Sequence, residues 1–370
     1  MVCTIGLHAQ VLSTSGSVSI NNTSGTVVIT GTLEHNASAT TTNDGTLTTA
    51  TITNAGTLQG NGTYEVSSSL TNSGTFTIGT STVDFNGSGA ESIPAMNFYN
   101  LTSSSTGTRT LPNGGTVGVA GTFTPGTNSF TVTNSTVDFN GGGAQTIPAF
   151  NFHHLTSSSS GTRTLASSGT IGVAGTFTKG TNSYTVTGST IDYNASSAQT
   201  ITSFTYNHLT LTASSSATKT LGGAVTVNGD LTVNANNILD DAGYQITGNA
   251  SGTLSLAAGT TLTLGTASTA TLFPTNFVNA NITLNASSTV IYNSDLAQTI
   301  ATAPTYGNLT LTSTAAVIKT IGGAVTVATD LTVGTNNTLN VTGAGTVQIN
   351  TGDLLLNGTL TNSGTIDIGN

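Results

Sequence analysis

"STVDFNGGGAQTIPAFNFHHLTSSSSGTRTL" occupies residues 135–165, and it decides the fold. In its first six residues Val137 and Phe139 alternate with Thr136 and Asp138, the period of a strand with one buried face. A glycine cluster follows, then "QTI", a proline, and "FNFHHLT". Each run is too short for a helix, and Gly, Ser or Asn punctuates each one. The same text stands at residues 81–111 as "STVDFNGSGAESIPAMNFYNLTSSSTGTRTL". Looser copies begin at Ser189 and Ser288, so the starts at Ser81, Ser135 and Ser189 are evenly spaced and the fourth comes after a wider gap. Self-similarity at a fixed period marks a solenoid or an array of domains. A unit of this length is too short for an immunoglobulin-like sandwich, which needs about 100 residues. It suits two or three turns of a coil of short parallel strands, in which the path around the axis supplies the crossover that parallel pairing requires.

Composition agrees. The chain has 370 residues with only 5% charged, 45 glycines and no tryptophan. Ser and Thr make up roughly a third of it, far above ordinary usage. The chain is nevertheless 35% hydrophobic, with Val, Ile, Leu and Phe at short regular intervals, which disordered chains lack. Thr and Val favour pleated strands, and Gly and Asn favour the turns between them. The expected fold is therefore all-β: a parallel β-solenoid from about residue 11 to 370, right-handed and rod-like. At about 18–27 residues per turn it would make on the order of 14–20 turns and span about 65–95 Å.

Shorter phrases divide the chain further. "TNDGTL" at Thr42, "TNAGTL" at Thr53, "TNSGTF" at Thr71 and "TNSGTI" at Thr361 frame the long repeats, and "GGAVTVNGDLTV" (222–233) returns as "GGAVTVATDLTV" (322–333). The expected segments are residues 1–12, a signal-peptide remnant or an inter-subunit strand; 13–80, short repeats; 81–248, three long repeats; 249–287, an insert of the same texture; and 288–370, the fourth long repeat and further short-repeat turns.

The repeats assign roles by position. Phe85, Phe139, Tyr193 and Tyr292 share the inward side with Val83, Val137, Ile191 and Val290. Phe98, Phe152, Tyr206 and Tyr306 form a second aromatic set. Both sets are expected to be core ladders. Asn86, Asn140, Asn194 and Asn293 follow the first aromatic and read as a corner ladder, because Asn tolerates the left-handed conformation. Asp84, Asp138 and Asp192 precede Arg109, Arg163 and Lys219 by a separation that matches about one turn of the coil. They are candidates for ion pairs between turns or for two separate solvated rows; Lys319 continues the basic row.

Charge excludes several functions. A net charge of −9 with five basic residues cannot neutralise clustered phosphates, so no nucleic-acid partner is expected. No apolar run reaches membrane-spanning length. One cysteine, Cys3, excludes an internal disulfide framework. His153, His154 and His208 invite a metal reading, but Asn100 and Asn308 hold the position of His154 and His208 in the other copies, so a polar corner fits better. Asp240 and Asp241 read as a turn. No nucleophile motif, phosphate loop or paired-carboxylate cluster is present, so no enzyme and no cofactor are expected. Sequons at Asn36, Asn61, Asn86, Asn100, Asn194, Asn285, Asn308 and Asn357 offer glycan acceptors if the cell uses them.

The phrases "STVDFNG…AQTI…FNFHHLT", "TKTLGGAVTVNGDLTV" and "LTNSGTFTIG" resemble repeats of large exported, adhesin-like surface proteins of Bacteroidota-type bacteria. The resemblance covers most of residues 42–370 and implies an extracellular or cell-surface location. The leading expectation is a structural subunit of an extracellular filament or surface fibre whose partner is itself. Ile5, Leu7, Ala9 and Val11 alternate at one end. Leu360, Ile366 and Ile368, in a rung the pattern could continue, lie at the other, and the two ends are the expected joining surfaces. Alternatives are a carbohydrate-binding adhesin module with exposed aromatic platforms, and an ice-binding solenoid suggested by Thr-x-Thr triplets. Glycans, attached or bound, are the other expected partners.

Overall fold

A computed structural model describes residues 5–7, 11–14, 19–77, 79–302 and 304–369. Its strand ladders are parallel, about half of the residues lie in strands and 1% in helix, and the sheets stack as a β-solenoid of about 17 turns. The chain forms two compact units, Met1–Ala166 with Phe177–Thr185, and Ser167–Thr176 with Val186–Asn370.

The first unit opens with long strands. Thr26–His35, Thr46–Asn54 and Thr63–Asn72 stack in register, with an irregularity after Ile29 and after Thr49 that lets one strand continue past a bend. Alternation fixes which side is inside: Leu33, Leu47, Ile52, Leu58, Tyr64 and Val66 are buried, as is Thr49, whose hydroxyl donates to the Gly31 carbonyl at 2.8 Å, and the threonines alternating with them, such as Thr46, Thr48, Thr51 and Thr63, stand half-exposed. From Ser81 onward the strands shorten to two to five residues and each turn visits three sheets. Thr82–Phe85 lies in one, Glu91–Ser92 in the next, Asn97–Phe98 in the third, and Asn100–Thr102 returns to the first. One turn of register carries Val83 to Leu101, and the next, slightly longer, carries Leu101 to Phe123.

This geometry corrects the expected ladders. One long repeat holds eight strands, Thr82–Phe85 through Phe130–Thr131, where three full turns would need nine. Each copy therefore begins one sheet away from its predecessor. Thr82–Phe85 lies in the eight-stranded sheet and Thr136–Phe139 in the five-stranded one. Equivalent residues do not stack on each other. Val83 is flanked by Tyr64 and Leu101, and Val137 by Val117 and Leu155. The aromatics are core, since all eight are 0–1% exposed. Each pairs across the interior within its own repeat, Phe85 with Phe98 at 6.3 Å and Phe139 with Phe152 at 6.1 Å, edge to face.

In the second unit one sheet runs through Thr190–Tyr193, His208–Leu211, Leu231–Val233, Leu254–Leu256 and Ile282–Leu284. A second runs from Gln199–Ile201 to Leu354–Leu356. The insert departs from regular strands at residues 265–281, where Phe273 and Phe277 fold inward and Phe277 lies against Gly248, a position that a Cβ would fill.

Candidate functional site

The most elaborate chemistry of the molecule is inside it. Arg109 and Arg163 are 0% exposed. An isolated buried cation is very costly, so its donors must all be satisfied. Arg109 donates from Nε to Ser103 Oγ at 2.8 Å and from Nη2 to the carbonyls of Phe85 and Gly87 at 2.7 and 2.9 Å. Its Nη1 reaches Gly89 O at 3.2 Å. Arg163 repeats the set with Ser157, Phe139, Gly141 and Gly143. The guanidinium thus closes the glycine-rich corner after each "TVDF" strand. Gly107 is required here: a Cβ would stand 1.9 Å from Gly89 O and 2.5 Å from Arg109 Nη1. Lys219 and Lys319 hold the same position in the third and fourth repeats. Lys219 Nζ donates to Ala195 O at 2.6 Å and Gln199 Oε1 at 2.7 Å, and Lys319 Nζ to Ser294 O and to Gln298 Oε1 at 2.7 Å. Burial pushes both amines down to about 8.

The expected partners of these cations are not the observed ones. Arg109 pairs with Glu91 at 2.8 Å, not with Asp84. Asp84 reaches sideways to the next turn and accepts from Ser104 N and Oγ at 3.0 and 2.5 Å. Asp138 does the same with Ser158. Asp192 is held by Thr212, and among the described residues neither Asp138–Arg163 nor Asp192–Lys219 forms a contact pair. The cause is direction. The Asp side chains leave the outer face of their strand, whereas Arg109, Arg163 and Lys219 point into the core. The residue that meets the cation is Glu91, or Gln199 and Gln298 in the later repeats, on the strand one turn earlier.

Tyr193 and Tyr206 form a second polar device that sequence reading took as plain core. Their hydroxyls meet at 2.8 Å. The Thr202 N–H donates to Tyr193 Oη, and Tyr206 Oη donates to Thr202 O at 2.6 Å. Tyr292, Tyr306 and Ala301 repeat the loop at 3.0, 3.0 and 2.9 Å. Burial drives the Tyr292 hydroxyl up to about 12.

The phrase Thr-Asn-x-Gly, with Asn22 in a looser copy (Asn22-Thr-Ser-Gly25), builds a third device. Asn22 Nδ2 donates to Asn43 Oδ1 at 2.8 Å, and Asn54 Nδ2 to Asn72 Oδ1 at 2.6 Å. His35, 1% exposed, extends the second row through Nδ1 to Asn54 Oδ1 at 2.8 Å, and burial lowers its basicity. The recurrence of "TN.GT" was the available signal.

The expected corner asparagines behave differently. Asn86, Asn140, Asn194 and Asn293 follow their strands but none has a positive φ; the left-handed non-glycine residues are Asn134, Asn236, Ala242 and Asn276. The corners they precede are closed by the buried cations instead. Asp240 and Asp241 form a turn as expected. Their carboxylates accept from Ala242 N and from Gly243 N and Gly265 N, and Thr271 donates to Asp241. His153 and His154 touch ring to ring, and His208 meets Asp230 at 3.1 Å. Among the described residues no group of three His, Cys, Asp or Glu side chains converges on a point. Among them, too, no helix is long and apolar enough to cross a membrane.

The residues expected at the joining surfaces lie as follows. Ile5–Leu7 pairs in parallel with Val27–Ile29, and the strand begun by Val11 pairs with Thr32–His35, so both use their own chain. Ala9 lies outside the described residues. At the other end Leu354–Leu356, Thr359–Asn362 and Thr365–Ile368 each pair with one described neighbour. Leu354, Leu356, Leu360, Ile366 and Ile368 continue the inward rows of Leu331, Val333, Leu339, Val347 and Ile349. Those five are 0–1% exposed, whereas Leu356 is 44% and Ile368 47% exposed, and the other three are half-buried.

No family model matches the chain, no curated protein matches it, and no solved structure matches it.

Proposed function

We propose that the chain is a non-enzymatic structural subunit of an extracellular filament or cell-surface fibre, and that copies join through parallel strand addition. A β-solenoid is consistent with a structural or surface repeat protein. The observation that carries the reading is where the repetition lies. An interior set recurs in every long repeat: the aromatic pair, the buried cation and the Glu or Gln opposite it in register. It holds turns together, while the outer face keeps only small polar recurrences such as Thr110, Thr164, Thr220 and Thr320. The finer step rests on the edge at residues 354–368. Five apolar side chains there continue buried rows. Covering a Leu or Ile fully is worth about 1.5–3 kcal/mol, a gross gain comparable with the roughly 4–15 kcal/mol that association costs. A parallel strand set is the shape that fits such an edge. The occupant in this reading is the residue 5–14 side of a second copy, a heterologous contact that propagates.

The buried positions of Phe85, Phe139, Phe98 and Phe152 weigh against the carbohydrate-platform alternative, since sugar stacking needs an exposed ring. Threonine rows occur outside, as at Thr205, Thr226, Thr247 and Thr275, but they are short, lie in several different sheets, and some are broken by Asp, Gln or Ile, which disfavours one continuous ice-binding face. The test is the purified chain at rising concentration, followed by sedimentation and negative-stain electron microscopy. Filaments are expected, and Leu356→Lys with Ile368→Lys should abolish them while leaving the strand spectrum intact. A monomer at every concentration, or filaments indifferent to those substitutions, would overturn the joining mechanism.

A further inference from the structure

Glu91 differs from its three counterparts in one atom, and that atom lacks a partner. Gln145, Gln199 and Gln298 use their oxygen to accept a backbone N–H of their own corner, from Gly141, Ala195 and Ser294 at 2.9, 3.3 and 3.2 Å. Their Nε2 donates to the turn beneath, to the carbonyls of Val119, Val173 and Leu264 at 2.8, 2.7 and 3.2 Å. Each of those carbonyls also accepts an asparagine N–H, from Asn140, Asn194 and Asn293. Glu91 keeps the first half of the pattern, since Oε2 accepts Gly87 N–H at 3.1 Å. Its Oε1 stands in the place of the donating amide nitrogen, is buried, and has no hydrogen-bond partner. The carbonyl beneath belongs to Val66, which pairs with Phe85 as Val119 pairs with Phe139 and accepts Asn86 N–H at 2.9 Å. A carboxylate oxygen cannot donate to a carbonyl; a carboxylic acid can.

We propose that Glu91 is a proton-binding site: the folded chain holds its carboxyl neutral, with the proton on Oε1 donated to the Val66 carbonyl, so that this side-chain bond to the turn beneath adds to the backbone ladder only while that proton is bound. Arg109, 2.8 Å from Glu91 Oε2, opposes this but does not depend on a charged Glu91 for its place. The carbonyls of Phe85, Gly87 and Gly89 and the Ser103 hydroxyl hold it, and the same set holds Arg163 beside the neutral Gln145. The charged groups on the neighbouring strands are Arg109, Asp84 and Glu65. Arg109 favours the ionised form, Asp84 opposes it, and Glu65 is engaged by the Thr48 hydroxyl. Burial is the largest influence and raises the Glu91 carboxyl above its usual range. A carboxyl raised in the folded state stabilises fully below its unfolded pKa, and that contribution is lost as pH rises through the folded one.

Infrared spectroscopy on 13C-glutamate protein tests this directly, because the chain has only three glutamates, Glu34, Glu65 and Glu91. A protonated-carboxyl band is expected to persist well above the usual glutamate range and to vanish in Glu91→Gln. Thermal unfolding should show the variant gaining on the wild type as pH rises. If all three labelled carboxyls ionise in the usual range, or if Glu91→Gln loses ground to the wild type as pH rises, Glu91 is an ordinary ion-pair partner of Arg109 and the proposal falls. The band's own titration in the wild type decides the matter even if the variant fails to fold.

Discussion

In the first two long repeats the chain reaches its inner aromatic pair through Pro94 or Pro148; in the last two it does so through Thr202 or Ala301. The substitution is not isolated. Where proline stands, both aromatics are phenylalanine, and where an N–H is present, both are tyrosine. Proline brings no donor into the core, so a dry Phe pair suffices. Thr202 and Ala301 bring one, and a buried N–H without an acceptor costs about 1–3 kcal/mol. Tyr193 and Tyr292 accept it, and Tyr206 and Tyr306 return a hydrogen bond to the carbonyl of the same residue. The cation changes with them. Arg109 and Arg163 use Nε on Ser103 and Ser157; Lys219 has no such atom, and Ala213 stands where the serine was. Ser313 keeps the hydroxyl beside Lys319, and its Oγ is buried without a partner. A corner of this solenoid is thus either dry and Arg-closed or hydroxyl-lined and Lys-closed, and the parts are selected as a set.

The harshest way to break the comparison is to empty the dry core. Phe139→Ala removes a ring that is 0% exposed and packed against Phe152, and should destabilise by about 3–5 kcal/mol in chemical denaturation. Full stability in that variant would mean the ring is not core.

A milder test separates the two sets. Tyr193→Phe should cost about 1–3 kcal/mol by orphaning the Thr202 N–H. Adding Thr202→Pro and Tyr206→Phe rebuilds the second repeat's combination and should recover most of that loss. Simple additivity of the three changes would show that they do not act as a set.

Much of this is legible in the sequence. The alternation of "TVDF" placed Val137 and Phe139 inside, and the repeat announced a parallel coil. The phase of the coil was not readable. Two-residue strands such as Glu91–Ser92 and Asn97–Phe98 carry no periodicity of their own, so the count of eight strands per repeat stayed hidden, and with it the one-sheet offset between copies. The cation's partner was missed for a related reason. The step from Asp84 to Arg109 looked like one turn, whereas the true turn is shorter and its register places Glu91 opposite Arg109. The joint exchange of Pro-Phe-Phe for X-Tyr-Tyr stood in the four aligned copies. It needed only the question of what a proline withholds.

Arg163→Lys asks whether the Arg-closed corner accepts the other cation. A lysine at 163 has one polar atom where arginine has three, and it takes the Nε donor from Ser157 Oγ, which keeps its bond with Tyr184. The expected loss is about 1–2 kcal/mol, the scale of one or two charged-group hydrogen bonds. Should Arg163→Lys be neutral, the guanidinium's contacts with Ser157 and Gly143 contribute nothing.

The last contrast is the dependence of the two Lys-closed corners on alkaline pH. Lys219 and Lys319 are pushed down to about 8 by burial, against 10.5 in the unfolded chain. Between those values the unfolded state binds more protons than the folded one, so stability rises with pH across that window. The neutral amine still has two N–H donors, enough for Ala195 O and Gln199 Oε1, so deprotonation relieves the desolvation cost without opening the corner. The Arg-closed corners cannot follow, because a guanidinium stays charged throughout. Stability measured from about pH 7.5 to 9.5, below the range where unfolded tyrosines ionise, should therefore rise in the wild type. The rise should shrink in the Lys219→Met, Lys319→Met double variant and remain unchanged in Arg163→Met. An unaltered slope in the double variant would mean that both amines stay charged in the folded chain and that the two kinds of corner are electrostatically alike.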